Sequence, residues 1–438
     1  MTSPTLAPFD ISGWTPQDTA DPYPVYERYR VHDPVHLGAT SGKGVGTWYV
    51  FGHADVQSVL SSQHFLRAPV PPEGARGIVP RLSAPIPEEY PALRQLVGNW
   101  LVFMDPPHHT RLRGLLSAEF SPRVVRGLEH AVAAIVDELL HGLADKPVAD
   151  FVTEFAAPFP ILVISELLGV PARDRDWLRA RSLDIQHASS ARVGGSGGGY
   201  ERAEPAARQL TDYFRDLIGQ RRARPAEDLI SLLVRAPDGL TEPQIVGTCV
   251  HLLTAGHETT TNLLGKTLLT LLARPALADE LRADTGLLPG AVEEFVRHDS
   301  PVQMVTRWTH RDESLGERTV RRGDKVVLVL GSANRDPRRF PDPDEVRLRR
   351  DAGRHTGFGI GIHYCLGAPL ARLEATTALR GLLNLLPTMT LADEPIRYAP
   401  DMVFHGPERI MLRLGGGPFA EPVPGPPATK GADRDGRS

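Results

Sequence analysis

The sequence predicts a mainly α-helical fold with small β-sheets (α+β), built as one large domain. Three observations lead there. Helical periodicity dominates the first three quarters of the chain, candidate strands are few and short, and no internal repeat or domain-separating linker interrupts residues 11–414. Residues 1–10 and 415–438 read as disordered, because the tail GGGPFAEPVPGPPATKGADRDGRS is rich in glycine, proline and charge and cannot bury a core.

Taken in order, the first strand is expected over 47–51. Pro69, Pro71, Pro72, Pro80, Pro85, Pro87 and Pro91 then break any helix. Ser121 and Pro122 form a start signal, and Val125, Leu128, Val132, Ile135, Val136 and Leu139 recur at three- and four-residue steps, which predicts one long helix. Gly194, Gly195, Gly197, Gly198 and Gly199 predict a flexible connection. A second long helix begins near Thr241 and Pro243 and runs to the Arg274-Pro275 stop; at roughly 30 residues it would span about 45 Å. Strands follow over 303–308 and 325–330, where β-branched residues cluster. From Leu366 onward, Leu370, Leu373, Ala378, Leu382 and Leu385 take up helical spacing again.

Composition excludes several classes. With 438 residues, 41% hydrophobic and 23% charged, the chain can bury a large core and is not a disordered protein. A net charge of −4 argues against nucleic-acid binding spread over the surface. No run approaches the roughly 18 apolar residues that a bilayer span needs, so no membrane anchor is expected. MTSPTLAPFD lacks the basic start and apolar core of a secretory signal, and two cysteines, Cys249 and Cys365, give no disulfide framework. A reducing cytoplasm is the simplest expectation.

Three short patterns match on paper and fail on context. Gly194 to Gly198 fits G-x-S-x-G around Ser196, but no apolar strand leads into it. His257-Glu258 opens like H-E-x-x-H, yet Thr261 stands where the second histidine belongs. Gly359 and Gly361 begin a dinucleotide fingerprint, but Tyr364 replaces its third glycine and no strand precedes it.

The segment Phe358-Gly359-Ile360-Gly361-Ile362-His363-Tyr364-Cys365-Leu366-Gly367 carries more. Its glycines let backbone approach a flat partner, and the following helix places Cys365 at a helix N-terminus, where N–H groups and the macrodipole favour a thiolate. An isolated cysteine is more commonly a small buried hydrophobe. A zinc site from Cys365, His363 and His355 is another reading, but it lacks the further thiolates such sites use. The long helix has its own anomaly at Ala255-Gly256-His257-Glu258-Thr259-Thr260-Thr261, since mid-helix glycine costs about 1 kcal/mol relative to alanine. Leu252, Ala255, Gly256 and Thr259 share one face, where small residues leave room for a ligand.

Together these residues resemble the cytochrome P450 family of haem-thiolate monooxygenases, in its soluble bacterial form. Phe358, Gly361, His363, Cys365 and Gly367 match the F-x-x-G-x-H-x-C-x-G signature, Ala255 to Thr259 the oxygen-activating helix, and Glu294 to Arg297 the E-x-x-R motif. The segment from Asp105 to Arg113 resembles the helix covering the haem edge, and Asn334-Arg335-Asp336-Pro337 the stretch before the cysteine loop. The resemblance implies that fold, with haem b sandwiched between the long central helix and the cysteine loop.

By the same resemblance Cys365 is implied to be the axial iron ligand. His109, Arg113, Arg307 and His363 are implied to hold the haem propionates, with Ala255, Gly256, Phe358, Gly359 and Gly367 as further cofactor contacts. Glu258 and Thr259 are implied to deliver protons during oxygen activation. Glu294 and Arg297 are implied to form a structural ion pair. Leu252, Ala255, Val302, Met304, Met402 and Phe404, with the proline-rich and glycine-rich loops, are implied to line a pocket for a mid-sized, largely apolar substrate. O₂ is the co-substrate, and hydroxylation is the default reaction. The resemblance further implies a monomer that receives electrons from a separate ferredoxin and ferredoxin reductase, docking near Arg111, Arg354 and Arg372. A non-catalytic relative serving as a partner protein would be expected to lose Cys365 or the Glu258–Thr259 pair, and a haem sensor would not need that pair.

Overall fold

A computed structural model describes residues 6–40, 46–70, 86–192, 198–236, 239–399 and 401–415. Its axis is the helix Glu242–Ala273, which extends for 32 residues. Thr241 and Gln244 cap its first turn reciprocally, with the Thr241 N–H donating to Gln244 Oε1 at 2.9 Å. Pro243 sits in the first turn, where a missing N–H costs nothing, and the helix stops at Arg274 before Pro275. Buried residues surround this helix on all sides, from Ile245 to Leu271. It packs against the helices Pro158–Leu168, Pro91–Gly98, Ala368–Leu385 and Gly198–Ala223 and so runs through the middle of the molecule.

The expected sheets are present and small. The largest has five strands in the order Val35–Thr40, Gly46–Val50, Lys325–Val329, Met304–Thr309 and Phe65–Leu66. Gly46–Val50 alternates buried and half-buried residues, as a strand with one covered face must. It pairs in parallel with Lys325–Val329, whose antiparallel neighbour carries Arg307 opposite Val326. The fold is thus helical with small sheets.

Several local expectations are corrected. The periodic run after Ser121 forms two helices, Pro122–Arg126 and Glu129–Ala144. At the break the Gly127 and Leu128 amides bond three residues back, to Val124 and Val125, and this tight turn redirects the chain while the apolar period continues through it. Pro91 does not break a helix but opens Pro91–Gly98 from its first position. Gly198 and Gly199 belong to the helix Gly198–Ala223 rather than to a loop; residues 193–197 lie outside the described residues, as do 71–85.

The N-terminal boundary also moves. Phe9 is 4% exposed and packs edge-on or tilted against Trp14, Tyr26, Tyr29, Tyr49 and Phe51. One large aromatic ring supplies enough apolar area to dock a segment whose composition reads as disordered. Residues 1–5 and 416–438 lie outside the described residues.

Candidate active site

Two left-handed glycines shape the cysteine loop, Gly359 at φ 72° and Gly361 at φ 75°. A side chain at Gly361 would also place its Cβ 2.5 Å from the Leu60 carbonyl oxygen. The loop closes by a 2.7 Å hydrogen bond from the Cys365 amide to the Phe358 carbonyl, and the helix Ala368–Leu385 starts three residues later. Cys365 therefore stands just ahead of a helix N-terminus, as its sequence context indicates. The expected lowering of its pKa is not found. Burial pushes the thiol up and outweighs the Gly367 amide and the guanidinium groups of Arg113 and Arg372. A bound metal would deprotonate it outright.

Above Cys365 lies a cavity whose opposite wall is the long helix, presenting Leu252, Ala255, Gly256, Thr259 and Thr260. At Gly256 and Gly367 an added Cβ would meet no atom within 4 Å, so both glycines border open space. Thr259 donates its hydroxyl to the Ala255 carbonyl at 3.1 Å, the back-bond that a mid-helix threonine makes when nothing else accepts. Beside it Glu258 has its carboxyl pushed up to about 8, first by burial and then by the nearby Asp401 carboxylate.

One end of the cavity is basic. His109 and Arg113, from the helix His108–Ser117, meet His363 there; the two imidazole centroids are 4.4 Å apart. Burial pushes His363 down to about 2, helped by Arg307, Arg67, His109 and Arg113, and burial likewise lowers Arg307 to about 10. His109 is 1% exposed, yet neither ring nitrogen has a hydrogen-bond partner. Such a group is costly to bury unless an acceptor arrives with a ligand.

Glu294 and Arg297 are both fully buried and meet in a two-pronged contact, Nε to Oε2 at 2.7 Å and Nη2 to Oε1 at 2.9 Å. Arg297 also donates to the carbonyls of Asn334, Pro343 and Glu345. Asn334 accepts from the Thr356 amide at 2.7 Å, two residues ahead of Phe358, so the pair is wired to the base of the cysteine loop.

Other expected residues stand elsewhere. Phe358 and Gly359 line the far side of the cysteine loop, where the Arg372 guanidinium stacks 4.5 Å over the Phe358 ring. Arg372 is also paired with Glu293 at 2.6 Å, so its charge is already committed, and Arg111 donates to the Gly239 carbonyl; Arg354 is exposed. Met304 and Met402 are buried in the aromatic cluster around Phe9, while Val302 and Phe404 pair in an isolated bridge. None of these four borders the cavity over Cys365.

Sequence reasoning passed over two buried ionisable residues. Glu374 lines the cavity, accepts from Thr260 at 3.1 Å and has its carboxyl pushed up to about 8 by burial. Lys266 is buried among leucines on the long helix. The available signal was a charged residue within an apolar period, Glu374 between Leu370 and Ala378 and Lys266 beside Leu263.

Comparison with known proteins points to one family. The cytochrome P450 family model matches residues 199–395. The cytochrome P450 monooxygenase PikC of Streptomyces venezuelae is 37% identical over 90% of this chain and 91% of its own length. The vitamin D(3) 25-hydroxylase of Pseudonocardia autotrophica is 36% identical over 90% and 94%. Among solved structures, P450BioI in complex with an acyl carrier protein bearing hexadec-9Z-enoic acid superposes with a TM-score of 0.82 at 32% identity, covering 91% of this chain and 99% of that one. CalO2 gives 0.81 at 33% identity, over 94% and 100%.

The fold and these relatives thus define an oxidoreductase of the haem-thiolate class. The chain belongs to the cytochrome P450 family and is a monooxygenase of that family. Haem iron is the cofactor the family implies, and the residues present fit it. The open space at Gly256 and Gly367 suits a flat ring, and the unpartnered His109 nitrogens with Arg113 suit carboxylate groups at its rim. No helix among the described residues is long and apolar enough to cross a membrane.

Proposed function

We propose that the chain inserts one atom of O₂ into a mid-sized, largely apolar organic molecule, by hydroxylation, with haem b as cofactor and electrons from a ferredoxin and its reductase. One observation carries this reading: Cys365 faces Ala255, Gly256 and Thr259 across one cavity with a basic end. When bound, the haem supplies the redox chemistry that activates oxygen, through its iron. Cys365 would hold that iron. His109, Arg113, His363 and Arg307 would hold the propionates, donating N–H groups to carboxylates that need them in a partly buried site.

The remaining work falls to the long helix. Glu258 keeps its proton up to about pH 8, so it is a donor at neutral pH, and the Thr259 hydroxyl beside it can pass a proton towards the cavity. Thr259 must give up its 3.1 Å bond to Ala255 to do so. Leu101, Pro160, Ile164 and Leu252 give the rest of the wall apolar character and keep water out, which favours a lipophilic substrate. Relatives are named as a hydroxylase and as an epoxidase.

The test is the difference spectrum of the reduced, haem-loaded protein with carbon monoxide. Thiolate ligation places the main band well to the red of histidine ligation, and Cys365→Ser abolishes that position. A histidine-type band in the wild type would end the reading.

A further inference from the structure

His251 stands on the long-helix wall of the cavity over Cys365, one turn before Ala255 and just over two before Thr259, about 12 Å from the latter along the helix axis. It is 8% exposed, and its Nδ1 is shut off from water with no hydrogen-bond partner among the described residues. The reaction above gives it no task. The Trp100 indole covers one face of the imidazole, with ring centroids 5.3 Å apart and planes 24° from parallel, and Trp100 in turn stacks on Phe103. This stack holds the ring in place beside the cavity. Trp100 repeats the pattern: it is buried, and its Nε1 donor also lacks a partner.

Two orphan polar groups side by side call for an acceptor. An indole N–H can only donate, and a neutral imidazole donates from one nitrogen and accepts at the other. Leaving such groups unpaired in a buried site is costly, so a partner that enters the cavity is the group that satisfies them. The haem carboxylates belong at the basic end, where His109 and His363 each feel the guanidinium groups of Arg113 and Arg307. No such charge acts on His251. Burial alone pushes it down to about 4, so it is neutral at neutral pH. Its neighbours on the cavity wall include Leu101, Ile164 and Leu252. A carboxylate would lose its hydration there for an uncharged partner, whereas a hydroxyl or carbonyl loses far less.

We infer that His251 is a specificity-determining residue: it hydrogen-bonds an uncharged oxygen of the substrate, a hydroxyl or carbonyl, and so sets which carbon is presented beside Thr259. The inference deepens the monooxygenase reading and rests on it. The substrate is then apolar over most of its surface and carries one such oxygen at a fixed reach from the carbon that is oxidised.

The experiment compares full-length, haem-loaded wild type with His251→Phe, which keeps a ring against Trp100 and removes both nitrogens, and with His251→Leu, which removes the ring as well. The probes are N-alkylimidazoles with butyl, hexyl and octyl tails, each beside its ω-hydroxy counterpart. Their imidazole nitrogen ligates the iron, and the tail carries the hydroxyl into the cavity at a graded reach. Binding is read from the shift of the haem band, and for each length the affinity of the hydroxylated probe is divided by that of the plain one. At one or more lengths this ratio is expected to be at least about fivefold higher in wild type than in His251→Phe, as the loss of a buried hydrogen bond requires. A smaller difference at every length overturns the inference, since the imidazole then serves packing or holds water. If His251→Phe does not retain haem, His251→Leu decides by the same ratio. Loss of haem from both variants also overturns it, because the imidazole would then serve the cofactor. A wild type without the thiolate band in its carbon monoxide spectrum would instead remove the proposed function, which separates the two failures.

Discussion

At Glu258 and Thr259 the proposed reaction reduces to one proton and its route. Thr259→Ala removes the hydroxyl without disturbing a buried contact, because its bond to Ala255 is one the helix can do without. Haem binding should survive, while reducing equivalents are diverted to peroxide. Product formed per nicotinamide consumed is the measurement, and an unchanged ratio would refute the assignment. Glu258 adds a pH signature. Its acid form persists to about 8, so the rate should hold at neutral pH and fall as pH rises through that value. Glu258→Gln should lower the rate and flatten this limb. Glu374 has a carboxyl in the same range but bonds Thr260 rather than Thr259, so Glu374→Gln should leave the limb in place.

Buried charge joins elements of this protein that are far apart in sequence. The helix Leu288–His298 ends in the Glu294–Arg297 pair, which grips the carbonyls of Asn334, Pro343 and Glu345 and, through Asn334 and Thr356, the approach to Cys365. Glu294 also accepts from Arg350 at 3.0 Å and from the Arg347 amide at 2.9 Å. Glu294→Ala would leave two buried guanidinium groups without their carboxylate. The expected loss is about 3 to 5 kcal/mol of stability, read from denaturant unfolding. Haem retention should fall with it, because the loop bearing Cys365 loses its anchor. The E-x-x-R spacing made the pair legible in sequence, since residues three apart share a helix face. The carbonyls it holds were not legible, because they lie 37 to 48 residues further on and only folding brings them back.

Across the whole molecule, the buried titratable groups predict how stability depends on pH. His251, His257, His298 and His405 are held neutral, pushed down to about 4, 3, 3 and 3, chiefly by burial. Unfolding lets each take up a proton below its ordinary 6.5, so the folded state loses stability as pH falls from there, by up to about 1.4 kcal/mol per pH unit for each group. Glu258 and Glu374 act in the opposite sense. Their raised values mean that unfolding releases protons between 4.5 and about 8, so stability declines as pH rises through that window. The four histidines outweigh the two carboxyls below 6.5, and between 6.5 and about 8 the two carboxyls make stability decline. Below 4.5 Glu293, and below 3.8 Asp299, both lowered to about 2, add to the acid loss. The melting temperature should therefore peak near pH 6.5; a profile that rises steadily to pH 9 would contradict these assignments.

The sequence by itself determined the chemistry-bearing segments, because each is local. Two glycines before a cysteine and a helix start behind it, small residues in mid-helix beside an acid and an alcohol, and a glutamate three residues from an arginine all act within a few turns of chain. It also determined the long helix, whose capping box and terminal proline are adjacent to what they end. Tertiary structure alone decided the rest. Phe9 joins the core because five aromatic rings, most of them from other elements, meet it, and the run after Ser121 forms two helices because a tight turn at Gly127 redirects an unbroken apolar period. The cysteine's pKa is set by burial rather than by the helix end, and Lys266 is tolerable only because Asp299, Ser300 and His405 converge on it. Burial and charge pairing depend on neighbours remote along the chain, and no local pattern encodes who those neighbours are.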